Sequence, residues 1–313
     1  MSFLDHKAVE GALEWERLIT ALGDAFAAGR VVSPSRQTLT IDLPNGEKGY
    51  VLLMPAWEPG KSIGVKVVTF FPGNAQRGDT TINAGYLLFD GGNGKFRMAA
   101  DGDALTARRT AAASALAARF LARDDASQLL VVGTGQLAAN VAQAHAVVRD
   151  YQNISVWGRN ADKSRRLANC LGDMGLQACA TEDLEGACRA ADVVSCVTAS
   201  TVPLIHGEWL GEGSHLDLIG AFKADMRESD NLCVTQATVF VDGREGALLS
   251  GDLAQPIADG ILRQEDILAD LRELVTGAHP GRTHQGERTL FKSVGMALED
   301  LVAAGLAATA EAL

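Results

Sequence analysis

Three absences narrow what this chain of 313 residues can be. Its five cysteines include no Cys-x-x-Cys pair, so we expect neither a disulfide framework nor a zinc site, and reduced thiols suit the cytoplasm. Lys and Arg number 28 against 39 Asp and Glu, and the formal charge of −11 argues against a nucleic-acid or membrane partner. No apolar run reaches the ~20 residues that cross a bilayer. We therefore expect a soluble, cytoplasmic protein without a metal site.

The first part of the chain predicts an α+β block. Residues 1–26 have the pattern of one amphipathic helix, with acids that a secretory signal would lack. Residues 37–100 carry strand-like segments separated by turn signals such as Asn45-Gly46. An alanine-rich helix is expected over residues 105–123.

The pattern changes at Gln128, from where apolar strands alternate with helices. This alternation is typical of a parallel sheet with right-handed crossover connections. Residues 288–312 predict one long helix after a loop that contains proline and glycine.

The segment LLVVGTGQLA matches the Gly-x-Gly-x-x-Ala form of the dinucleotide-binding motif. Its first glycine permits a tight turn, its second lets a pyrophosphate approach the backbone, and its alanine allows close packing of helix on strand. Glycines occur at many strand-to-helix turns, so the specificity comes from context: an apolar strand before, a helix after, and a second strand about 20 residues later. We predict that the loop contacts the cofactor through Gly133, Thr134, Gly135, Gln136 and Leu137.

A fourth absence concerns the end of that second strand, where an acid for the adenosine ribose is usual. The residues there are Gly158, Arg159 and Asn160. An acid would repel a 2′-phosphate, whereas a guanidinium can bind one through two charge-assisted hydrogen bonds. The sequence thus predicts NADP(H) over NAD(H), with Arg159 and Asn160 at the cofactor. In the alternative, Arg159 is a solvated loop arginine, and the missing acid still counts against NAD(H).

Several segments together resemble the ornithine cyclodeaminase/μ-crystallin family. They are RTLFKSVGMALEDLVAA (288–304), LTARRTAAASALAARFLA (105–122), GVKVVTFFPGN (64–74) and VTASTVPLI (197–205). The most specific of them is the S-V-G-x-A-x-E-D run. The resemblance covers essentially the whole chain. It implies an α/β fold in which a Rossmann-type doubly wound parallel sheet, expected over residues 115–289, is inserted into an α+β substrate and dimerisation domain, expected over residues 1–114 and 290–313.

The resemblance also implies a site for a small carboxylate. The family's carboxylate-binding arginine matches Arg36, its strand lysine Lys66, its strand threonine Thr81 and its helix arginine Arg109. Two arginines and a lysine that converge in an acidic protein would form an anion pocket. Lys66 stands in an otherwise apolar strand, so it faces something other than open solvent. Taken alone, Lys66 could be an edge-strand lysine and Arg109 an exposed helix arginine.

Five further residues are implied to lie near the cofactor. The resemblance points to Thr198 and Ala199 beside the nucleotide, and to Ser293, Val294 and Gly295 near the nicotinamide. A small Gly295 would let the final helix begin close to a flat ring. For Val294, simple packing of helix on sheet is the alternative.

One position departs from the family. In ornithine cyclodeaminases, an aspartate after the strand that ends in Ile/Val-Gly handles the δ-amino group of the substrate. This chain has Phe222 there, and a phenyl ring can neither accept a proton nor pair with an ammonium. Cyclodeamination also recycles its NAD within one turnover, so Phe222 and Arg159 both point away from it.

The function implied is an NADPH-dependent reductase of an α-imino acid, either a cyclic ketimine such as Δ1-pyrroline-2-carboxylate or the imine of a related amino-acid dehydrogenase reaction. Lys66 is the candidate catalytic residue, as the proton donor to the imine nitrogen, and Phe222 would line an apolar pocket for the carbon chain. Two alternatives stay open: an ammonia-releasing ornithine cyclodeaminase, and an NADPH-binding protein with little turnover. A homodimer is expected, because the N-terminal sheet would otherwise present open edges.

Overall fold

The computed structural model describes residues 2–311. Its strands are β1 Ser2–Leu4, β2 Gln37–Asp42, β3 Lys48–Glu58, β4 Ser62–Phe70, β5 Ile82–Asp90, β6 Phe96–Asp101, β7 Gln128–Val132, β8 Asn153–Trp157, β9 Ala178–Thr181, β10 Val193–Cys196, β11 His215–Leu218, β12 Thr238–Val241, β13 Ile267–Asp270 and β14 Thr289–Lys292. Its α-helices are α1 His6–Ala12, α2 Trp15–Ala28, α3 Asn74–Arg77, α4 Gly102–Leu121, α5 Gln136–Val148, α6 Ala161–Asp173, α7 Leu184–Ala190, α8 Asn231–Thr235, α9 Arg244–Ala247, α10 Gly251–Ala258, α11 Leu271–Val275 and α12 Ala297–Glu311. Short 3-10 helices span Gly207–Trp209 and Gln264–Asp266. None of the helices in this part of the chain is long and apolar enough to cross a membrane.

The chain divides into two units. One unit ends at Arg109 and resumes at Met296, and the other spans Thr110–Gly295. The sequence placed these transitions near residues 114 and 290. The first transition lies inside the continuous helix α4, where no local sequence signal marks it.

The first unit is built on a six-stranded sheet in the order β1-β6-β5-β4-β3-β2. Its pairings are antiparallel, except that β1 runs parallel to β6. Lys66 of β4 pairs with Met54 of β3 on one side and with Tyr86 of β5 on the other. Directly opposed residues point to the same face of a sheet. That face is the one on which α12 packs, because Asp300 of α12 forms an ion pair with Lys66.

The N-terminal segment contains a strand and two helices, so the prediction of one amphipathic helix over residues 1–26 was wrong. The side chain of Asp5 accepts a hydrogen bond from the backbone of α1 and ends β1 there. Glu14 does the same for α2, and thereby separates the two helices. Residue 1 lies outside the described residues. The strand forms because β6, almost 100 residues later, pairs with it.

The second unit contains an eight-stranded sheet in the order β13-β12-β14-β11-β10-β7-β8-β9, and all its pairings are parallel. From β7 the chain winds outward through β8 and β9, and then returns to β10 on the other side of β7. This order confirms the Rossmann-type doubly wound sheet that the sequence predicts. In such sheets, ligands bind at the carboxyl ends of the strands where the order reverses, which here is between β7 and β10.

The prediction of one helix over residues 288–312 was wrong for its first part. Residues Thr289–Lys292 are the strand β14, which lies between β11 and β12 and is buried along its whole length. Threonine, leucine and phenylalanine fit a buried strand at least as well as a helix. Gly295 follows with φ +79°, a left-handed conformation that separates β14 from α12. Residue 312 lies outside the described residues.

Candidate active site

The glycine-containing loop lies at the carboxyl end of β7, immediately before α5. Gly133 has φ +132°, and a Cβ built on it would lie 2.8 Å from Cγ2 of Val197, so no other residue fits there without strain. Gly135 is the N-cap of α5, where no side chain caps the helix, and a Cβ built on it would meet nothing within 4 Å. Open space at Gly135 and uncapped N–H groups at the start of α5 suit an anionic group. The loop therefore fits a dinucleotide pyrophosphate.

The remaining loop residues differ in their surroundings. A Cβ on Gly158 would lie 2.6 Å from Cγ2 of Thr134, so Thr134 packs closely against the end of β8. Gln136 is exposed at the start of α5, and Leu137 beside it is half-buried. The structure thus brings the predicted loop and the end of β8 together through Thr134 and Gly158.

The residues after β8 lack an acid, as the sequence shows. Arg159 is exposed and forms no hydrogen bond or ion pair with any residue in the described range. Asn160 is the N-cap of α6, and its Oδ1 accepts a hydrogen bond from the backbone N of Lys163 at 3.0 Å. The guanidinium of Arg159 is therefore available to a ligand, whereas the carbonyl oxygen of Asn160 already has a partner.

A buried carboxylate, Glu228, joins the ends of β10 and β11. It accepts hydrogen bonds from N and Oγ1 of Thr198, at 2.6 and 2.8 Å, and from the backbone N of Gly220 and of Ala221, at 2.7 and 3.1 Å. Burial raises the pKa of Glu228, and the bonds from Thr198 act in the opposite direction. Both donors of Thr198 are thus used by the protein itself, and Ala199 next to it is exposed.

Asp242 holds the segment after β14 in the same way. Its Oδ2 accepts hydrogen bonds from Oγ of Ser293 at 3.0 Å and from the backbone N of Val294 and Gly295 at 2.7 and 2.6 Å. Burial raises the pKa of Asp242, while these hydrogen bonds lower it. The three residues predicted near the nicotinamide are therefore fixed by one carboxylate.

Lys66 and Arg109 lie together in the first unit, held by two acids in the first turn of α12. Nζ of Lys66 lies 2.8 Å from Oδ2 of Asp300 and donates to Oδ1 of Asp300 at 3.0 Å and to Oγ1 of Thr106 at 3.3 Å. Arg109 donates from Nε to Oδ1 of Asp300 at 2.8 Å and from Nη1 to Oε2 of Glu299 at 2.7 Å. None of the four charged side chains is more than 4% exposed. Two positive and two negative charges therefore balance.

The cluster keeps two groups available for chemistry. Burial, assisted by the charge of Arg109, lowers the pKa of Lys66 to about 8, although Asp300 and Glu299 oppose the shift. Lys66 can therefore exchange a proton near neutral pH. Within residues 2–311, no atom accepts a hydrogen bond from Nη2 of Arg109. This nitrogen is free to donate to a ligand.

Arg36 lies on the same row of the sheet as Lys66. Gln37 pairs with Leu53, so Arg36, one residue earlier, comes level with Met54, and Met54 pairs with Lys66. Two strand spacings of about 4.8 Å separate the backbones of Arg36 and Lys66. Arg36 is half-buried and has no hydrogen-bond or ion-pair partner among the described residues. Arg36 is thus an uncompensated cation on the same row of the sheet as the balanced cluster.

Thr81 lies further from this cluster. It immediately precedes β5, five residues before Tyr86, which is the partner of Lys66. Five residues of strand span roughly 16 Å. The structure places Thr81 at the end of the sheet and does not bring it into contact with Lys66 or Arg109.

Comparison with known proteins identifies the family of this chain. The model of the ornithine cyclodeaminase/mu-crystallin family matches residues 2–308. The chain belongs to this family. Delta(1)-pyrroline-2-carboxylate reductase of Paracoccus denitrificans is 37% identical over 304 residues, which cover 96% of this chain and 94% of the relative. Ketimine reductase mu-crystallin of Rattus norvegicus is 34% identical over 281 residues, which cover 89% of this chain and 85% of the relative.

A solved structure gives the same result for the fold. Delta(1)-pyrroline-2-carboxylate reductase of Thermococcus litoralis, in complex with NADH and L-proline, superposes with a TM-score of 0.92 at 31% identity. The match covers 100% of this chain and 98% of the other. This member of the ornithine cyclodeaminase/mu-crystallin family is an NAD(P)-dependent oxidoreductase.

This family member carries Phe222 in the segment after β11, within the second unit. The ring is half-buried, and Nζ of Lys223 lies 5.4 Å from its centroid. Of the acids in the same segment, Asp225 is exposed and Glu228 is engaged by the ends of two strands. The segment thus contains one exposed acid and one acid whose oxygens already accept hydrogen bonds from the protein.

Four acids of this family member have roles that were not predicted from the sequence. Glu299 and Asp300 pair with the cations of the first unit, and Glu228 and Asp242 hold the loops of the second. The signal for the first two was visible, because they are the E-D of the S-V-G-x-A-x-E-D run. Their partners stand about 190 to 234 residues earlier in the chain, so spacing alone does not connect them.

Proposed function

We propose that this protein is an NADPH-dependent reductase of α-imino acids. The observation that carries the proposal is the cluster around Lys66: a buried amine with a pKa near 8, next to the free Nη2 of Arg109 and on the same row as the unpaired Arg36. Guanidinium groups bind carboxylates through paired hydrogen bonds. An amine that titrates near neutral pH suits a general acid. The cluster therefore offers the two functions that reduction of an imino acid needs from the protein.

In the proposed reaction, Arg36 and Nη2 of Arg109 bind the substrate carboxylate and so orient the C=N bond. NADPH, when bound, would supply the hydride that reduces the imine carbon. Lys66 donates a proton to the imine nitrogen and then regains one from solvent. One imino acid, one hydride and one proton thus give one amino acid. The role of the protein is orientation and placement of charge.

The substrate class that we propose is a cyclic ketimine, with Δ1-pyrroline-2-carboxylate as the first candidate. The names of the relatives from Paracoccus denitrificans and Thermococcus litoralis support it, as does the carboxylate-binding chemistry of Arg36 and Arg109. The related reaction of an amino-acid dehydrogenase also reduces a C=N bond. Phe222 would line the space for the carbon chain of the substrate.

The assay follows nicotinamide absorbance with purified protein, NADPH or NADH, and Δ1-pyrroline-2-carboxylate, and in parallel measures ammonia released from ornithine. We expect rapid oxidation of NADPH and no ammonia. Ammonia and proline from ornithine, without net change of the nicotinamide, would overturn the proposal in favour of a cyclodeaminase. Tight binding of NADPH without turnover on any cyclic or linear imino acid would favour a binding protein.

The preference for NADPH rests on Arg159, whose exposed guanidinium has no partner in the described part of the chain. We expect Arg159→Ala to lower kcat/KM for NADPH by about 10- to 100-fold, because one or two charge-assisted hydrogen bonds to a 2′-phosphate are lost. The value for NADH should change by less than about twofold. Initial rates with each cofactor measure the ratio.

Arg166 provides the matched control for this experiment. It is another exposed arginine, on α6, and Arg166→Ala should leave the ratio of the two cofactors unchanged. An equal loss with NADPH and NADH in Arg159→Ala would show that Arg159 does not select the cofactor.

We also propose a homodimer in the cytoplasm. In the first unit, the edge strand β2 is exposed along its length, and Leu39, Ile63 and Leu87 expose 53%, 36% and 38% of their surfaces. Exposed edges and aliphatic side chains on a sheet favour a partner. The free cysteines support a reducing compartment. Light scattering of the purified protein measures the mass, and a monomer at micromolar concentration would contradict the dimer.

A further inference from the structure

Asp300 occupies the centre of the buried cluster in the first unit. Its Oδ1 accepts hydrogen bonds from Nζ of Lys66 and from Nε of Arg109, and its Oδ2 lies 2.8 Å from the same Nζ. Glu299, the preceding residue, contacts Arg109 through Nη1. Asp300 thus bridges the two cations, whereas the contact of Glu299 is with only one of them.

A buried lysine needs such a carboxylate to keep its proton. Removal from water favours the neutral amine, and the nearby guanidinium of Arg109 acts in the same direction. Besides Arg36, which lies on the same row of the sheet, the ionisable groups around Lys66 come from β5, α4 and α12, and they are Tyr86, Asp103, Arg109, Glu299 and Asp300. Asp300 is the acid among them that touches Nζ.

The surroundings of Asp300 also fix where Nζ lies. Lys66 is 2% exposed, and Thr106 accepts a second hydrogen bond from Nζ. The hydroxyl of Tyr86 is buried on the same face of the sheet, and the described residues offer it no hydrogen-bond partner. A Cβ on Gly64 would lie 1.9 Å from that hydroxyl, so the hydroxyl packs directly against Gly64. Without Asp300, no acid in contact with Nζ among the described residues would hold the amine towards α12, and Glu299 would act on it only through its charge at longer range.

We propose that Asp300 is a positioning residue, which holds the amine of Lys66 in place between β4 and α12 and keeps it protonated for transfer to the imine nitrogen. This inference rests on the proposed function, in which Lys66 is the proton donor. Asp300 touches neither substrate nor cofactor in this scheme. It acts through Lys66, so its removal should change the pH dependence of the reaction as well as its rate.

The experiment compares Asp300→Asn with Glu299→Gln. Each variant removes one buried carboxylate from the same turn of α12 and keeps the shape of the side chain, but only the first loses the charge that contacts Lys66. The kcat/KM of the wild-type enzyme should fall as pH rises through the pKa of Lys66, because the protonated amine is the active form. In Asp300→Asn this fall should move to lower pH by about one to three units, and in Glu299→Gln by less than about one unit.

The ionisation of the substrate itself is common to all variants, so the difference between profiles belongs to the protein. Equal shifts in the two variants, or a loss of rate in Asp300→Asn with an unmoved profile, would overturn the proposal. Asp300→Glu is the second variant, should Asp300→Asn not fold. It retains the charge, and we expect its profile to stay within about half a pH unit of wild type while kcat falls, because the longer side chain displaces Nζ. The expected shift for Asp300→Asn is about one to three pH units. A shift of that size in the profile of Asp300→Glu would contradict the inference.

A measurement without turnover separates this inference from the proposed function. The Cε signal of Lys66, assigned by comparison with Lys66→Arg, can be titrated by NMR in the wild type and in Asp300→Asn. A lower pKa in the variant supports the role of Asp300 even for an enzyme that reduces no imine. An unchanged pKa overturns it even for an enzyme that does.

Discussion

Replacing Lys66 by methionine should lower kcat for imine reduction by about 10²- to 10⁴-fold, the usual contribution of a general acid. Methionine fills most of the volume of the lysine but carries no proton to donate. The residue is 2% exposed and its pKa is about 8, so it is protonated in most molecules at pH 7. The measurement is a steady-state assay with NADPH and Δ1-pyrroline-2-carboxylate, with kcat and KM determined separately.

Lys66→Arg is the control that separates charge from proton transfer. Arginine keeps the positive charge beside Asp300, yet it does not release its proton in proteins. We expect its kcat to fall nearly as far as that of Lys66→Met. Titration with NADPH should give unchanged cofactor affinity in both variants, since Lys66 is not part of the dinucleotide-binding loop. Activity within tenfold of wild type in Lys66→Arg would show that Lys66 supplies charge alone.

The nucleotide-binding half could be predicted from the sequence because its signals are local. Gly133, Gly135 and Ala138 stand within six residues, and each has a reason that depends on its immediate neighbours: a left-handed turn, open space, and close packing of α5. The missing acid after β8 is local as well. Such features are written in one short segment of the chain, so a single sequence suffices to find them.

The two elements that the sequence misassigned depend on distant partners. Residues Ser2–Leu4 become a strand because they pair with β6, and Thr289–Lys292 become a strand because β11 and β12 lie on either side. The periodicity of a segment of three or four residues does not distinguish a strand from the start of a helix. Tertiary pairing decides these cases, and it is not visible in a local pattern.

The net charge of the predicted anion pocket is a further property that the sequence did not predict correctly. Counting Arg36, Lys66 and Arg109 predicts an anion pocket with three cations, but Glu299 and Asp300 neutralise two of them. The E-D of the S-V-G-x-A-x-E-D run marked the family, but acids are mostly exposed in proteins, so nothing in the sequence indicated that these two are buried against Lys66 and Arg109. The pairing leaves Arg36 and one nitrogen of Arg109 to bind a carboxylate. In the reaction that we propose, it also makes Lys66 a proton donor instead of a carboxylate-binding group.

The second large effect concerns stability and an ion pair in the nucleotide-binding unit. Lys292 of β14 and Asp252 of α10 are both fully buried, with Nζ 2.9 Å from Oδ2. Asp252 also accepts hydrogen bonds from the backbone N of Glu228 and Ser229 through Oδ1. Asp252→Ala should lower the free energy of unfolding by about 3–5 kcal/mol, because a buried ammonium and two buried N–H groups lose their acceptor. Urea unfolding followed by circular dichroism measures the change.

Glu185→Ala is the matched control, since it removes a carboxylate from the exposed pair Arg189–Glu185, and we expect a change below about 0.5 kcal/mol. Adding Lys292→Met to Asp252→Ala removes the stranded charge and should restore part of the loss. Recovery is partial because the N–H groups of Glu228 and Ser229 still lack an acceptor. A double variant no more stable than Asp252→Ala would mean that the loss arises from these backbone groups, and that the buried charge of Lys292 contributes little. Because Glu228 also holds the ends of β10 and β11, weakening its backbone should reduce NADPH affinity along with stability.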